Sequence, residues 1–139
     1  MRERPILFQA DMVRAILDGR KDVTRRAMRP GPPDDCGVVA HPHGWRYEGV
    51  IYEASRYERC PYGAPGDRLW CRETWRKVHE DGGPTVVTYR ADGTSVPIMN
   101  TARGDDPGAG WRPSIFMPRW ASRLTLEVVS VRAERLHEI

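Results

Sequence analysis

The chain has 139 residues, which is enough for one domain with its own hydrophobic core and too few for two ordinary domains. Hydrophobic residues make up 40% and charged residues 29%, while 13 glycines and 12 prolines indicate many turns and favour strands and turns over a helix bundle. No apolar run reaches the length of a signal peptide or a membrane span. We therefore expect a single domain over residues 1–139 and no membrane partner.

The formal net charge is +3, and Lys21 and Lys77 are the only lysines among 22 basic residues. Arginine makes bidentate contacts to phosphate and stacks on bases, so this composition favours an anionic partner such as nucleic acid. A biased genomic base composition gives the same arginine excess. Charge alone therefore identifies no site.

The cysteines predict a reducing, cytoplasmic setting, because three of them at irregular spacing do not form a disulfide framework. Cys36, His41, His43 and Cys60 are zinc-ligand residue types, but their intervals match no standard zinc finger. We predict no metal site. The sequence also lacks a dinucleotide-binding fingerprint and a Walker-type loop, so no cofactor is expected.

The first third of the chain predicts a strand, a helix and a basic turn. Pro5–Phe8 is a short buried strand, and Asp11–Leu17 has the apolar spacing of an amphipathic helix that Gly19 ends. Val23 and Thr24 are β-branched and favour a strand. Arg29–Asp35 is a loop rich in proline.

The rest of the chain predicts strands separated by turns. A hairpin is expected over Val38–Ile51, with its turn at His41–Gly44, and the segment Thr101–Gly110 is expected to be a mobile loop. Three further strands are predicted, namely Arg68–Trp75, Thr85–Tyr89 and Leu124–Arg132. Many short strands with one early helix and long loops predict a mainly β domain with minor α content, most economically a small closed or nearly closed barrel.

The most informative segment is Gly19–Arg26, which places a lysine, a hydroxyl and several guanidiniums on a short stretch of backbone. Lys21 could act as a base if it were buried, and the hydroxyl of Thr24 becomes a nucleophile only beside such a base. The alternative is a solvated basic turn, as most arginine-rich surface segments are. Both interpretations stay open at the level of the sequence.

Two other segments combine charged and aromatic groups. Glu73 lies between apolar residues of a predicted strand, so it either pairs with an internal arginine or lines a pocket. For Trp75, core packing and base stacking are both open. The segment Trp111–Trp120 interleaves tryptophan with arginine, which suits nucleobase stacking beside phosphate, or plugs the end of a barrel.

Four segments together resemble the ASCH family, whose domain belongs to the PUA-like β-barrels. They are Pro5–Phe8, Ile16–Arg26, Gly66–Trp75 and Met117–Arg123. The resemblance covers nearly the whole chain. The combination of segments is similar to that of the larger ASCH proteins, which are often encoded by bacteriophages and prophages. It implies a small PUA-like barrel with a short helix near the N-terminus.

The resemblance implies binding of RNA or a modified nucleoside in a cleft beside the barrel, with Lys21, Thr24 and Arg25 at that cleft. One short ASCH branch hydrolyses N4-acetylcytidine with a Gly-x-Lys-x-x-Thr turn and a separate glutamate, and other members are reported as ribonucleases. By that analogy Lys21 deprotonates Thr24, whose oxygen attacks the acetyl amide. A phage accessory protein that binds an unidentified protein partner is a third alternative.

The glutamate of that branch follows the last strand, and this chain ends at Ile139 before that segment would occur. Glu73 is the best substitute, so the predicted catalytic residues are Lys21, Thr24 and Glu73. We expect either a chain truncated at the C-terminus or a natural form that only binds. The predicted nucleic-acid contacts are Arg20, Arg25, Arg26, Arg72, Trp75, Arg119 and Trp120.

Overall fold

The structure is a computed structural model that describes residues 1–27, 37–41, 44–48, 58–79, 84–98 and 110–134. In these ranges the protein is mainly β with one α-helix, α1 (Ala10–Leu17), as the sequence predicts. The strands are β1 (Glu3–Leu7), β2 (Gly37–His41), β3 (Gly44–Glu48), β4 (Glu58–Arg59), β5 (Arg68–Arg72), β6 (Trp75–His79), β7 (Thr85–Tyr89), β8 (Ser95–Pro97) and β9 (Thr125–Glu127).

The described strands form three sheets of three strands each, with the orders β1-β5-β9, β2-β3-β4 and β6-β7-β8. The predicted hairpin is confirmed, since β2 and β3 are antiparallel and His41 lies opposite Gly44. The strand predicted at Thr85–Tyr89 is confirmed with the same bounds. The closed PUA-like barrel stays a prediction.

The helix α1 ends as the sequence predicts. Gly19 has a φ of +67°, a conformation that costs glycine little, and it turns the chain so that the backbone N–H groups of Arg20 and Lys21 both donate to the carbonyl of Ala15 at 2.8 and 3.0 Å. The strand predicted at Val23 and Thr24 is wrong, because residues 20–27 lie outside every helix and strand. No helix in the described ranges is long and apolar enough to cross a membrane.

The strand predicted over Arg68–Trp75 is two strands, because β5 ends at Arg72 and β6 begins at Trp75 in a different sheet. Glu73 lies at the break. The alternation of the side chains nevertheless continues across it, as expected for extended backbone on both sides. The residues buried at every second position are Leu69, Cys71, Glu73, Trp75 and Lys77.

The strand predicted at Leu124–Arg132 is shorter in the structure, where β9 covers only Thr125–Glu127. The side chains alternate along this segment, since Val128 is buried while Val129 is exposed. The loops predicted at residues 29–35 and 101–109 lie outside the described residues.

The chain divides into two compact units, each made of separate segments. Unit 1 comprises Met1–Arg4, Thr24–Leu69 and Leu126–Ile139, and unit 2 comprises Pro5–Val23 and Trp70–Thr125. The single domain predicted from length stays a prediction.

In unit 1, the Asp67 carboxylate organises a turn by accepting from the backbone N–H groups of Arg2 at 2.8 Å and Ala64 at 3.2 Å. These hydrogen bonds lower the pKa of Asp67. In unit 2, one hydrophobic cluster of buried side chains consists of Trp75, Val87, Tyr89, Met117 and Ala121.

Candidate nucleic-acid interface

Two tryptophans predicted to contact nucleic acid touch each other in unit 2. Trp75 begins β6 and is only 1% exposed, whereas Trp120 lies in a 3₁₀ turn (Arg119–Ala121) and is 50% exposed. Their ring centres are 5.8 Å apart and the planes meet at 87°, which is the preferred edge-to-face geometry of aromatic pairs. Burial of Trp75 corrects the prediction that its own ring contacts nucleic acid. Trp75 instead supports Trp120.

Two arginines from the same set share one aromatic partner. The guanidinium carbons of Arg72 and Arg119 lie 4.7 and 5.9 Å from the ring centre of Trp70, which is buried. Arg72 also donates from Nη1 to the carbonyl of Ile115 at 3.1 Å, which joins the end of β5 to the 3₁₀ turn at Ser114–Phe116. The structure thus brings Arg72 and Arg119 to one aromatic ring. The spacing of these residues in the sequence does not predict this contact.

The 3₁₀ turn whose Ile115 carbonyl accepts from Arg72 carries two exposed apolar side chains. Phe116 is 70% exposed, and Ile115 beside it is 57% exposed. We call the set Arg72, Phe116, Arg119 and Trp120 the arginine–tryptophan surface. It combines ring faces that can stack with guanidiniums that can contact phosphate, which is the combination that single-stranded nucleic acid requires.

Glu73 belongs to an internal ion-pair network. Arg123 donates from Nε to Oε1 of Glu73 at 2.8 Å and from Nη2 to Oε2 at 3.0 Å, and its Nη1 donates to Asp92 at 2.7 Å. The guanidinium carbon lies 4.1 Å from the ring centre of Tyr89, whose hydroxyl donates to the carbonyl of Ala121 at 2.8 Å. The hydrogen bond from Arg123 lowers the pKa of Asp92 to about 2, and burial raises the pKa of Tyr89.

Of the two sequence alternatives for Glu73, the internal arginine pair is therefore the one observed. Its side chain is 2% exposed and both of its oxygens accept from one guanidinium. Arg123 therefore compensates the charge of the Glu73 carboxylate without any contribution from a substrate. A catalytic role for Glu73 gains no support from its surroundings.

The basic segment is distributed over both units, since Arg20 and Lys21 belong to unit 2 and Thr24, Arg25 and Arg26 belong to unit 1. The ammonium of Lys21 donates to the carbonyl of Val23, and Thr24 is exposed. The catalytic pairing of Lys21 with Thr24 stays a prediction.

Arg20 and Arg25 of this segment each lie in an ion pair. Arg20 pairs with Asp18 at 2.8 Å, and Arg25 lies 3.7 Å from Glu134. Arg26 is exposed. A nucleic-acid role for Arg20 and Arg25 would thus begin with the loss of an existing, solvent-exposed pair, which is worth little.

Some of the candidate metal-ligand and thiol side chains lie in the ranges that the structure covers. No three His, Cys, Asp or Glu side chains converge there on one point. Cys36 and His43 lie outside the described residues. Cys60 and Cys71 are free and buried, and burial raises the pKa of Cys71 to about 12, so this thiol is a poor nucleophile.

Sequence reasoning missed three arginines that contact residues of the candidate segments. Arg123 was not singled out, although a buried Glu73 demanded a cationic partner. Arg76 and Arg90 were also missed, and their guanidinium carbons lie 4.8 and 5.9 Å from the ring centre of Trp111. Only the strand register, which sequence does not determine, places them there.

The described fold and site define a mainly β protein with an arginine- and tryptophan-rich surface. No family model matches the chain, and no curated protein or solved structure is detectably similar to it.

Proposed function

We propose that the protein binds RNA, including RNA with modified bases, through the arginine–tryptophan surface. The observation that carries this proposal is the contact of exposed Trp120 with buried Trp75, which holds a half-exposed indole beside Arg119. A ring fixed in this way loses little conformational entropy when a base stacks on it.

The expected energies are sufficient for RNA binding. Stacking of one base on an aromatic side chain contributes about 1–3 kcal/mol, and the surface offers both Trp120 and Phe116. Arg72 and Arg119 supply the phosphate contacts, whose contribution depends on salt. Because stacking requires an unpaired base, we expect single-stranded RNA to be the preferred form.

We also infer that the strands belong to an ASCH-type, PUA-like barrel. The support is the resemblance of the four sequence segments together with the mainly β content and the single short helix among the described residues. If the inference is right, RNA has two places to bind. One is the arginine–tryptophan surface, and the other is the cleft that the resemblance implies at Lys21 and Arg25.

A titration with fluorescently labelled single-stranded RNA of about 12 nucleotides tests the proposal, using anisotropy as the readout. We expect Trp120→Ala to weaken binding by roughly tenfold or more, and Trp120→Phe to retain most of the affinity because it keeps a stacking face. Val129→Ala removes apolar surface from another exposed position (83%) and is the matched control, which should bind normally. Unchanged affinity in Trp120→Ala, or no RNA binding by the native protein, would overturn the proposal.

Hydrolysis of an N-acylated cytidine is the second candidate function. The observation that favours it is the ordered turn at Gly19, where the Ala15 carbonyl fixes the backbone of Lys21 just before Thr24. On this hypothesis the protein releases acetate from N4-acetylcytidine, and Thr24→Ala removes that activity. No acetate release by the native protein, or a full rate in Thr24→Ala, contradicts it.

A further inference from the structure

A second cluster of arginine and tryptophan lies next to β6, and the register of the strands explains it. The backbone of Trp75 forms an antiparallel bridge with Arg112, with N–H···O distances of 3.2 and 2.7 Å. In such a bridge the next residues along, Arg76 and Trp111, face each other on the opposite side of the sheet. The guanidinium carbon of Arg76 accordingly lies 4.8 Å from the ring centre of Trp111.

Arg90 reaches the same face from the neighbouring strand. Its backbone N–H donates to the carbonyl of Thr74 at 2.9 Å, which places it one pair beyond Trp75 and Tyr89. By alternation Arg90 shares the face of Arg76, and its guanidinium carbon lies 5.9 Å from the Trp111 ring centre.

The charges of this cluster are uncompensated within the described part of the chain. No carboxylate there pairs with Arg76 or Arg90, whereas Arg14, Arg20, Arg123 and Arg132 each have one. The Nε atom of Arg76 is buried and has no hydrogen-bond partner. Since an unsatisfied buried donor is costly, an acceptor supplied by a ligand would stabilise this arrangement.

We propose that Trp111, Arg76 and Arg90 form a second contact point for single-stranded nucleic acid, separate from the arginine–tryptophan surface. A phosphate accepts hydrogen bonds from the two guanidiniums, and the adjoining base stacks on the part of Trp111 that remains exposed, 39% of the residue. This inference takes its ligand class from the proposed RNA binding and adds a site to it.

Chemistry at this cluster favours a nucleic-acid strand over an uncharged aromatic ligand. Two guanidiniums beside one indole match the alternation of phosphate and base along a strand. A duplex hides its base faces by stacking and pairing, so it would gain only the phosphate contacts.

The test compares the double variant R76Q/R90Q with R68Q/R132Q, which removes the same charge from two exposed arginines elsewhere in the chain. Labelled single-stranded RNA of about 12 nucleotides is titrated at several salt concentrations between about 50 and 200 mM. We expect R76Q/R90Q to bind roughly tenfold more weakly or worse, with a salt slope reduced by about 1 to 2, and R68Q/R132Q to lose much less.

Two more variants separate a ligand contact from a structural role. R76K/R90K keeps both charges and should retain the native salt slope while losing bidentate geometry, and Trp111→Ala should weaken binding with the slope unchanged. If R76Q/R90Q lowers only the melting temperature, or loses no more affinity than its control, the inference is wrong. A different result tests the proposed RNA binding itself, because that proposal is wrong if Trp120→Ala leaves the affinity for RNA unchanged.

Discussion

Arg123 and Glu73 form a bidentate pair with two hydrogen bonds of 2.8 and 3.0 Å, in a place where the Glu73 side chain is 2% and the Arg123 side chain 14% exposed. Glu73 lies between β5 and β6, and Arg123 follows the 3₁₀ turn that carries Trp120. The pair thus joins the start of β6 to the segment that presents the candidate surface. Because the carboxylate of Glu73 is buried, it depends on the charge of Arg123.

Arg123→Met is expected to destabilise the protein strongly. It leaves Glu73 as a buried carboxylate without its cation, which costs about 3–5 kcal/mol of unfolding free energy. Chemical denaturation measures the change. Arg132→Met is the control, because the Arg132–Glu134 pair is exposed and contributes about 0–1 kcal/mol. Similar losses in the two variants would show that the buried pair is not a major stabilising contact.

Acid stability should depend on Asp92. Its pKa falls from 3.8 to about 2 because Arg123 donates a hydrogen bond to the ionised carboxylate. A depressed native pKa stabilises the folded state above the unfolded value of 3.8, and this contribution disappears as the pH falls through about 2.

Urea denaturation of the native protein and Asp92→Asn measures this contribution. The difference in unfolding free energy should be constant above about pH 5 and shrink between about pH 4 and 2. The lowered pKa of Asp67 also makes the free energy of unfolding depend on pH, but equally in the native protein and in Asp92→Asn, so it cancels in the difference. A difference that does not vary with pH would contradict the role assigned to Arg123.

Gly19→Ala should destabilise the helix end by about 1–2 kcal/mol, since alanine is strained at a φ of +67°. The space around Gly19 is open, so the cost is conformational and not steric. Gly110→Ala is the matched control, because its surroundings are equally open and its φ is not in the left-handed region. Equal melting temperatures for the two variants would refute this assignment.

Cys71 should resist alkylation in the folded protein. With a pKa of about 12, roughly one thiol in ten thousand is ionised at pH 8, and the side chain is 1% exposed. Treatment with iodoacetamide followed by peptide mass spectrometry should therefore label Cys71 only after denaturation. Rapid labelling of Cys71 in the native protein would show that this part of unit 2 opens readily.

The sequence predicted the elements that local chemistry determines. Gly19 ended the helix, the hairpin turned between His41 and Gly44, and Thr85–Tyr89 formed a strand with the expected bounds. The break between β5 and β6 was not predictable from alternation, because the burial pattern continues through Glu73 without a change of period.

The candidate site depended on long-range contacts that one sequence does not reveal. The pattern identified Trp75 and Trp120 as candidates, but only the structure shows that the first is buried and supports the second. Arg76 and Trp111 are 35 positions apart and meet because Trp75 bridges Arg112. A register of this kind is determined by packing and not by local propensity.

The central claim is that the exposed ring of Trp120 contacts RNA, and the indole N–H signals of the five tryptophans test it most directly. Their ¹H–¹⁵N NMR spectrum is recorded during titration with single-stranded RNA, and the Trp120 signal is assigned by its loss in Trp120→Phe. We expect this signal to shift with the same Kd as in the anisotropy titration. A Trp120 signal that does not move at RNA saturation would show that its ring does not contact RNA.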